Sequence, residues 1–250
     1  MIQNSFIVSA FLYLSSFCAS TVMAKRLSAI LLFSGLGANA CSITMRYVQT
    51  LPMMPLYQAP FFLPFVLGIV LFFRRMRNQA GTRETLFAMV ILSWTALLFP
   101  NDHYLPFLQF KTIFAHLFFL LGIVGRTFFI VSGILAYLVV RQRPLPVRYD
   151  VSLKDVRQWI IWGYGFFTLS MWSGAIWSYL GWGTPIVWDD PGILVAMFTW
   201  LYYSLYLHLH MLSFGTVTNR VYFALFGGVG VTIFNMLPDM GRFTLPKMFI

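Results

Sequence analysis

The residues of this 250-residue chain best suited to chemistry are four histidines and a dense run of tryptophans. Seven of the eight tryptophans fall between Trp159 and Trp200, and the richest part runs from Trp172 to Asp190. Within it Trp177, Trp182 and Trp188 are separated by Gly181, Gly183 and Pro185, residues that favour a tight turn. Asp189 and Asp190 stand just before Pro191, a pattern that makes either a ready N-cap for a following helix. Scattered aromatics at a membrane boundary would be ordinary interface anchors. Here the density and the turn chemistry argue for flat rings bracketing a planar ligand.

Neutral imidazole is a common axial ligand for haem iron. His116 lies in Lys-Thr-Ile-Phe-Ala-His-Leu-Phe-Phe, one turn inside an apolar segment. It reads either as such a ligand or as a histidine hydrogen-bonded within the bundle or at the headgroups. His208 and His210 are two residues apart, so they point to different faces of a helix and do not form a paired metal site. Asp189 and His208 are separated by 19 residues, about 28 Å along a helix. His116 and His208 therefore serve different sites. Arg126, alone in the middle of an apolar segment, needs an anion or polar partners to offset its burial.

These residues must be positioned by membrane-spanning helices. The chain is 59% hydrophobic and 10% charged, whereas soluble domains carry about a quarter charged residues. Eight segments approach the roughly 20 apolar residues that a span requires. They are Ser5–Ala24, Leu27–Tyr47, Tyr57–Phe73, Glu84–Phe99, Thr112–Val140, Val156–Trp182, Gly192–Met211 and Val221–Leu237. No repeat or low-complexity linker divides them, so the expected fold is all-α, one polytopic bundle over residues 1–250. The N-terminal segment lacks a basic flank and a cleavage context, and reads as a retained first span. Cys18 and Cys41 lie inside apolar segments without a CxxC pattern, which argues against a disulfide framework or covalent haem attachment to this chain.

The net charge of +10 is distributed between the apolar runs, not clustered as a nucleic-acid footprint would be. One set of connections holds twelve basic residues: Lys25, Arg26, Arg74, Arg75, Arg77, Arg83, Arg141, Arg143, Arg148, Lys154, Arg157 and Arg220. The opposite set holds four, Arg46, Lys111, Arg242 and Lys247. The asymmetry predicts that the first set is cytoplasmic. Both termini and the loop over 177–191 are then on the outer, periplasmic side of an inner or plasma membrane. No paired discontinuous helices support a solute transporter.

Gly174-Ala-Ile-Trp177, Trp182-Gly183, Trp188-Asp189 and the run Thr199-Trp200-Leu-Tyr-Tyr-Ser-Leu-Tyr-Leu-His208 together resemble the cytochrome c assembly family of the CcsA/CcmC type. Arg46-Tyr47, Pro55-Leu56-Tyr57 and the His116 segment resemble its CcsA half. The resemblance implies a tryptophan-rich outer loop, the WWD motif, that holds non-covalent haem b. Trp177, Trp182, Gly183, Trp188 and Asp189 would contact the haem, His116 would ligate its iron outside, and His208 would act as a membrane-embedded ligand. It implies haem transport or presentation for attachment to an apocytochrome c bearing CxxCH. A CcsB/ResB-type membrane subunit would be the partner and would complete a haem lyase, or cytochrome c synthetase. Ile186 stands where the family has a further tryptophan, and no histidine follows the eighth segment, where the family has a second outer ligand. Met236, Met240 and His103 are the nearby alternatives. Two other roles compete: a haem b-bearing subunit of an electron-transfer complex, and a regulatory or scaffold relative without haem.

Overall fold

The structure, a computed structural model, describes residues 2–22, 24–50, 59–76, 80–98, 112–142, 152–186, 188, 191–213 and 215–235. All regular structure among them is helical. The helices are α1 (Ile2–Thr21), α2 (Lys25–Thr50), α3 (Ala59–Met76), α4 (Thr82–Leu98), α5 (Ile113–Gln142), α6 (Leu153–Trp182), α7 (Pro191–His208) and α8 (Val217–Phe234), with a short 3-10 turn at Leu209–Met211. Each helix coincides with one of the eight apolar segments. Four stretches, Lys25–Val48, Ile113–Arg141, Gly192–Met211 and Val217–Phe234, are long and apolar enough to cross a membrane. The chain is an integral membrane protein.

Helix ends differ from the apolar boundaries where polar residues do the capping. Helix α6 begins at Leu153, ahead of its apolar run, because Ser152 and Asp155 form a capping box. The Asp155 carboxylate accepts from the Ser152 amide at 2.8 Å, and the Ser152 hydroxyl accepts from the Asp155 amide at 3.4 Å. Helix α7 stops at His208, and the residues expected to extend it tighten into the 3-10 turn.

The helices form two compact units, α1–α4 and α5–α8. In the first, α1 packs along α2 and against α4, and α3 packs on α4. Arg75 donates to the Lys25 carbonyl and, at 3.4 Å, to the Ser28 hydroxyl. Arg74 donates to the Ala80 carbonyl, and the Arg83 guanidinium lies 5.9 Å from the Phe17 ring centre. The end of α1, the start of α2, the end of α3 and the start of α4 thus meet at one basic end. Far along α2, Asn39 donates to the Tyr13 hydroxyl at 3.1 Å, and the buried Arg46 lies 4.2 Å above the Phe61 ring.

In the second unit, glycines let backbones approach, the usual device where lipid supplies no hydrophobic drive between helices. A Cβ on Gly125 of α5 would come 2.9 Å from Phe167 Cβ and 3.0 Å from the Gly163 carbonyl oxygen of α6. Gly133 of α5 meets Gly228 of α8 so closely that a Cβ on it would lie 2.8 Å from the Gly228 Cα. Beside this crossing Phe129 and Tyr203 stack in parallel, with ring centres 3.6 Å apart. Arg157 near the start of α6 and Arg220 near the start of α8 give this unit a basic end as well, at the end of α7 where Tyr206 stands. The tryptophan turn lies at the other.

Candidate functional site

Three rings form a connected array where α5 and α6 run side by side. Phe118 stacks on Trp177 with centres 6.1 Å apart and planes 24° apart. Trp177 meets Trp182 edge to face at 5.3 Å and 84°, a favoured geometry for aromatic pairs. The array is held by its neighbours. Ser170 donates to the Phe118 carbonyl at 2.5 Å, and Gly174 leaves room for the Phe118 ring, which a Cβ there would meet at 2.6 Å. The Trp177 indole N–H is buried and has no hydrogen-bond partner among the described residues. Such an orphan donor costs roughly 1–3 kcal/mol, so it marks a place where an acceptor is wanted. Trp182 and Trp188 are exposed, at 46% and 62%.

The chain leaves α6 through a turn built from local hydrogen bonds. Gly183 caps the helix in the left-handed region at φ +72°, and its amide donates to the Tyr179 carbonyl at 2.9 Å. Ser178 then donates to the Thr184 carbonyl at 2.7 Å, and Thr184 donates to the Ile186 carbonyl at 3.0 Å. Ile186 therefore contributes its carbonyl to the turn. Because space around Gly183 is open, only its conformation requires glycine. Gly183→Ala should cost about 1–2 kcal/mol and Gly183→Asn less, read from thermal unfolding of the purified protein in detergent.

The remaining candidates are distributed as follows. His116 is half-buried in the first turn of α5. Phe118, Gly122, Gly125 and Phe129 make the α5 stripe that meets α6. At 100° per residue His116 falls about 150° around the helix from that stripe. The turn end brings Trp177 and Trp182 together; Phe118, not His116, is the α5 side chain stacked on them. Asp189, with His103, Met236 and Met240, lies outside the described residues. His208 lies at the other end of α7, about 26 Å from Pro191. It is exposed, and its Nδ1 donates to the Ser204 carbonyl at 2.8 Å, which leaves Nε2 as the lone-pair nitrogen. His210, also exposed, makes the same kind of bond to the Leu207 carbonyl at 2.9 Å, from the 3-10 turn. Arg126 lies 5.9 Å from the Phe167 ring centre, between α5 and α6. Among the described residues no three of His, Cys, Asp and Glu gather as a metal-binding group.

Phe118, Ser170, Gly174 and Ser178 carry no motif of their own. Only Ser170 and Gly174 have a signal in the sequence, the three- and four-residue spacing that puts them on one face of α6 with Trp177.

A family profile described as Cytochrome C assembly protein matches residues 4–240. The chain belongs to the cytochrome c assembly family. Among curated members of that family, the cytochrome c biogenesis protein CcsA of Prochlorococcus marinus (strain MIT 9312) is 42% identical over 52 residues, 21% of this chain and 16% of the relative. CcsA of Chlamydomonas reinhardtii is 29% identical over 114 residues, 42% of this chain and 31% of the relative. CcsA of Guillardia theta is 37% identical over 73 residues, 28% of this chain and 24% of the relative. The matched segments thus span at most about a third of these three relatives. The solved cytochrome c haem lyase CcmF shares the fold, with a TM-score of 0.59 and 16% identity over 93% of this chain and 46% of CcmF.

Proposed function

We propose that this assembly-family chain handles haem for cytochrome c maturation, presenting it at the tryptophan turn for attachment to an apocytochrome. One observation supports the reading: the Phe118–Trp177–Trp182 array ends in the exposed Trp182 indole and contains a buried Trp177 N–H without a partner among the described residues. Flat rings suit the faces of a macrocycle, and an orphan donor suits an acceptor on its edge, such as a propionate. Haem b is the cargo, held without covalent attachment to this chain. Trp188, Gly183 and Asp189 belong to the same platform. His116, near the same end of α5, is the proposed outer ligand.

His208 is the proposed ligand at the opposite end. It terminates an outward-facing stripe on α7 formed by Leu194, Phe198, Leu201 and Leu205. A ligand on its Nε2 would sit on the outside of the α5–α8 unit, where a separate CcsB/ResB-type subunit can supply the opposing group. In this reading the eight helices cross the membrane eight times as one domain, both termini and the turn lie on the outer side, and the basic ends face the cytoplasm. The attachment itself adds cysteine thiols of a CxxCH segment across haem vinyl groups. This chain's part is to orient the haem and shield it, so lyase activity belongs to the chain together with its partner.

The test is a visible absorption spectrum of the protein purified from membranes, oxidised and reduced. The wild type should show haem bands. His116→Ala should lose the component at the outer site, with altered ligation or lowered haem content. Identical haem content and spectra in wild type and variant would remove His116 from the site. A haem held tightly without any maturation of a reporter cytochrome would favour an electron-transfer subunit instead.

A further inference from the structure

The basic end of the α1–α4 unit carries an excess of basic over acidic side chains among the described residues. Lys25, Arg26, Arg74, Arg75 and Arg83 stand there against a single described carboxylate, Glu84. Arg75 is oriented by the Lys25 carbonyl and the Ser28 hydroxyl, which ties the end of α3 to the first turn of α2. The Lys25 and Arg26 side chains are exposed beside it. Directly below lies an apolar surface shared by the two helices. Leu27, Ile30 and Phe33 of α2 and Phe72, Phe73 and Met76 of α3 are all exposed, and Phe33 meets Phe72 with ring centres 6.3 Å apart. One turn beyond Phe33, the exposed Gly37 carries no side chain and has open space around it, with nothing within 4 Å of where a Cβ would stand.

We propose that this end binds an anionic two-chain phospholipid, its phosphate at Lys25, Arg26 and Arg75 and its acyl chains along the α2–α3 face. The charge selects an anion, and the continuous apolar strip below selects one that carries hydrocarbon. Arg75 is anchored by the Lys25 carbonyl and the Ser28 hydroxyl before the lipid arrives, so its positive charge is already fixed beside Lys25 and Arg26. Gly37 gives one chain a gap beside Phe33 in a surface otherwise covered by side chains. Basic residues at a membrane surface each contribute about fivefold to anionic-lipid binding.

The experiment is native mass spectrometry of the delipidated full chain titrated with dioleoylphosphatidylglycerol, dioleoylphosphatidylcholine, the single-chain lysophosphatidylglycerol or inorganic phosphate. The wild type should retain phosphatidylglycerol at least fivefold more tightly than phosphatidylcholine. Arg26→Gln should weaken it about fivefold and Lys25→Gln/Arg26→Gln about 25-fold, while Arg75 keeps its helix-linking bonds. Phe33→Ser should weaken the two-chain lipid and leave phosphate unaffected. Lys154→Gln, at the start of α6, is the control and should change nothing. Equal retention by the wild type and the double variant overturns the proposal, as does equal weakening by Lys154→Gln. Lysolipid or phosphate binding as tight as the two-chain lipid would reduce the site to an anion patch and overturn it too.

Discussion

Gly133→Leu should prevent α5 and α8 from docking and should sharply lower the yield of folded protein. A Cβ at Gly133 would meet the Gly228 Cα at 2.8 Å, and one at Gly228 would meet the Gly133 Cα at 2.6 Å. Both obstacles are backbone, so no side-chain rotation relieves them and the helices must separate. Separation also loosens the buried Phe129–Tyr203 stack beside the crossing. Gly133→Ala should cost about 1–3 kcal/mol, the usual range for overpacking, and Gly133→Leu more than about 4 kcal/mol. Gly230, two residues further along α8, has nothing within 4 Å of where a Cβ would stand. Gly230→Ala should therefore be neutral, or stabilising by up to about 1 kcal/mol from helix propensity alone. Thermal unfolding in detergent, with the fraction of monodisperse protein, separates these outcomes. Equal stability of Gly133→Leu and wild type would show that α5 and α8 do not cross at these glycines.

His208→Ala should reduce haem-dependent maturation of a reporter cytochrome at least tenfold, and His210→Ala should have a small effect. The two imidazoles are similarly exposed, and each has its Nδ1 on a backbone carbonyl. Their difference is position. His208 ends the outward stripe of α7 below Leu205, whereas His210 belongs to the 3-10 turn beyond the helix. A ligand held at the edge of the apolar stripe is reached from the membrane; one on the turn is displaced toward the basic end. Losing even a supporting partner of a metal ligand costs roughly 10–100-fold, so loss of His208 in its proposed role as a haem ligand should cost no less. Added imidazole should partly restore His208→Ala and its haem spectrum, a readout that a purely structural role would not move. If the two single variants behave alike, the assignment to His208 falls.

Much of the architecture was legible in composition and spacing. Apolar runs in a bilayer satisfy their backbones as helices; each of the eight apolar runs became a helix, and four stretches are long and apolar enough to cross a membrane. The family was legible too, because Trp182-Gly183, Trp188-Asp189 and Tyr206-Leu-His208 depend on local order in the chain. Helix α6 shows the limit of that logic. Its first residues are polar and belong to a capping box, so a hydropathy boundary at Val156 misses Leu153.

The array around Trp177 depended on contacts far apart in sequence. Phe118 is 59 residues from Trp177, and nothing in its local context distinguishes it from Phe119, its neighbour on another face. Only the α5–α6 crossing, set by Gly122, Gly125, Gly163 and Gly174, selects Phe118 as the ring that stacks. The same crossing puts His116 on a different face of α5 from that ring, although two residues separate them. Sequence by itself determined the elements, the family and the residue types at the tryptophan turn, because these follow from local chemistry and solvent. Tertiary structure alone decided which rings meet across α5 and α6 and which buried indole N–H groups lack a partner among the described residues, because those depend on where glycines let neighbouring backbones touch.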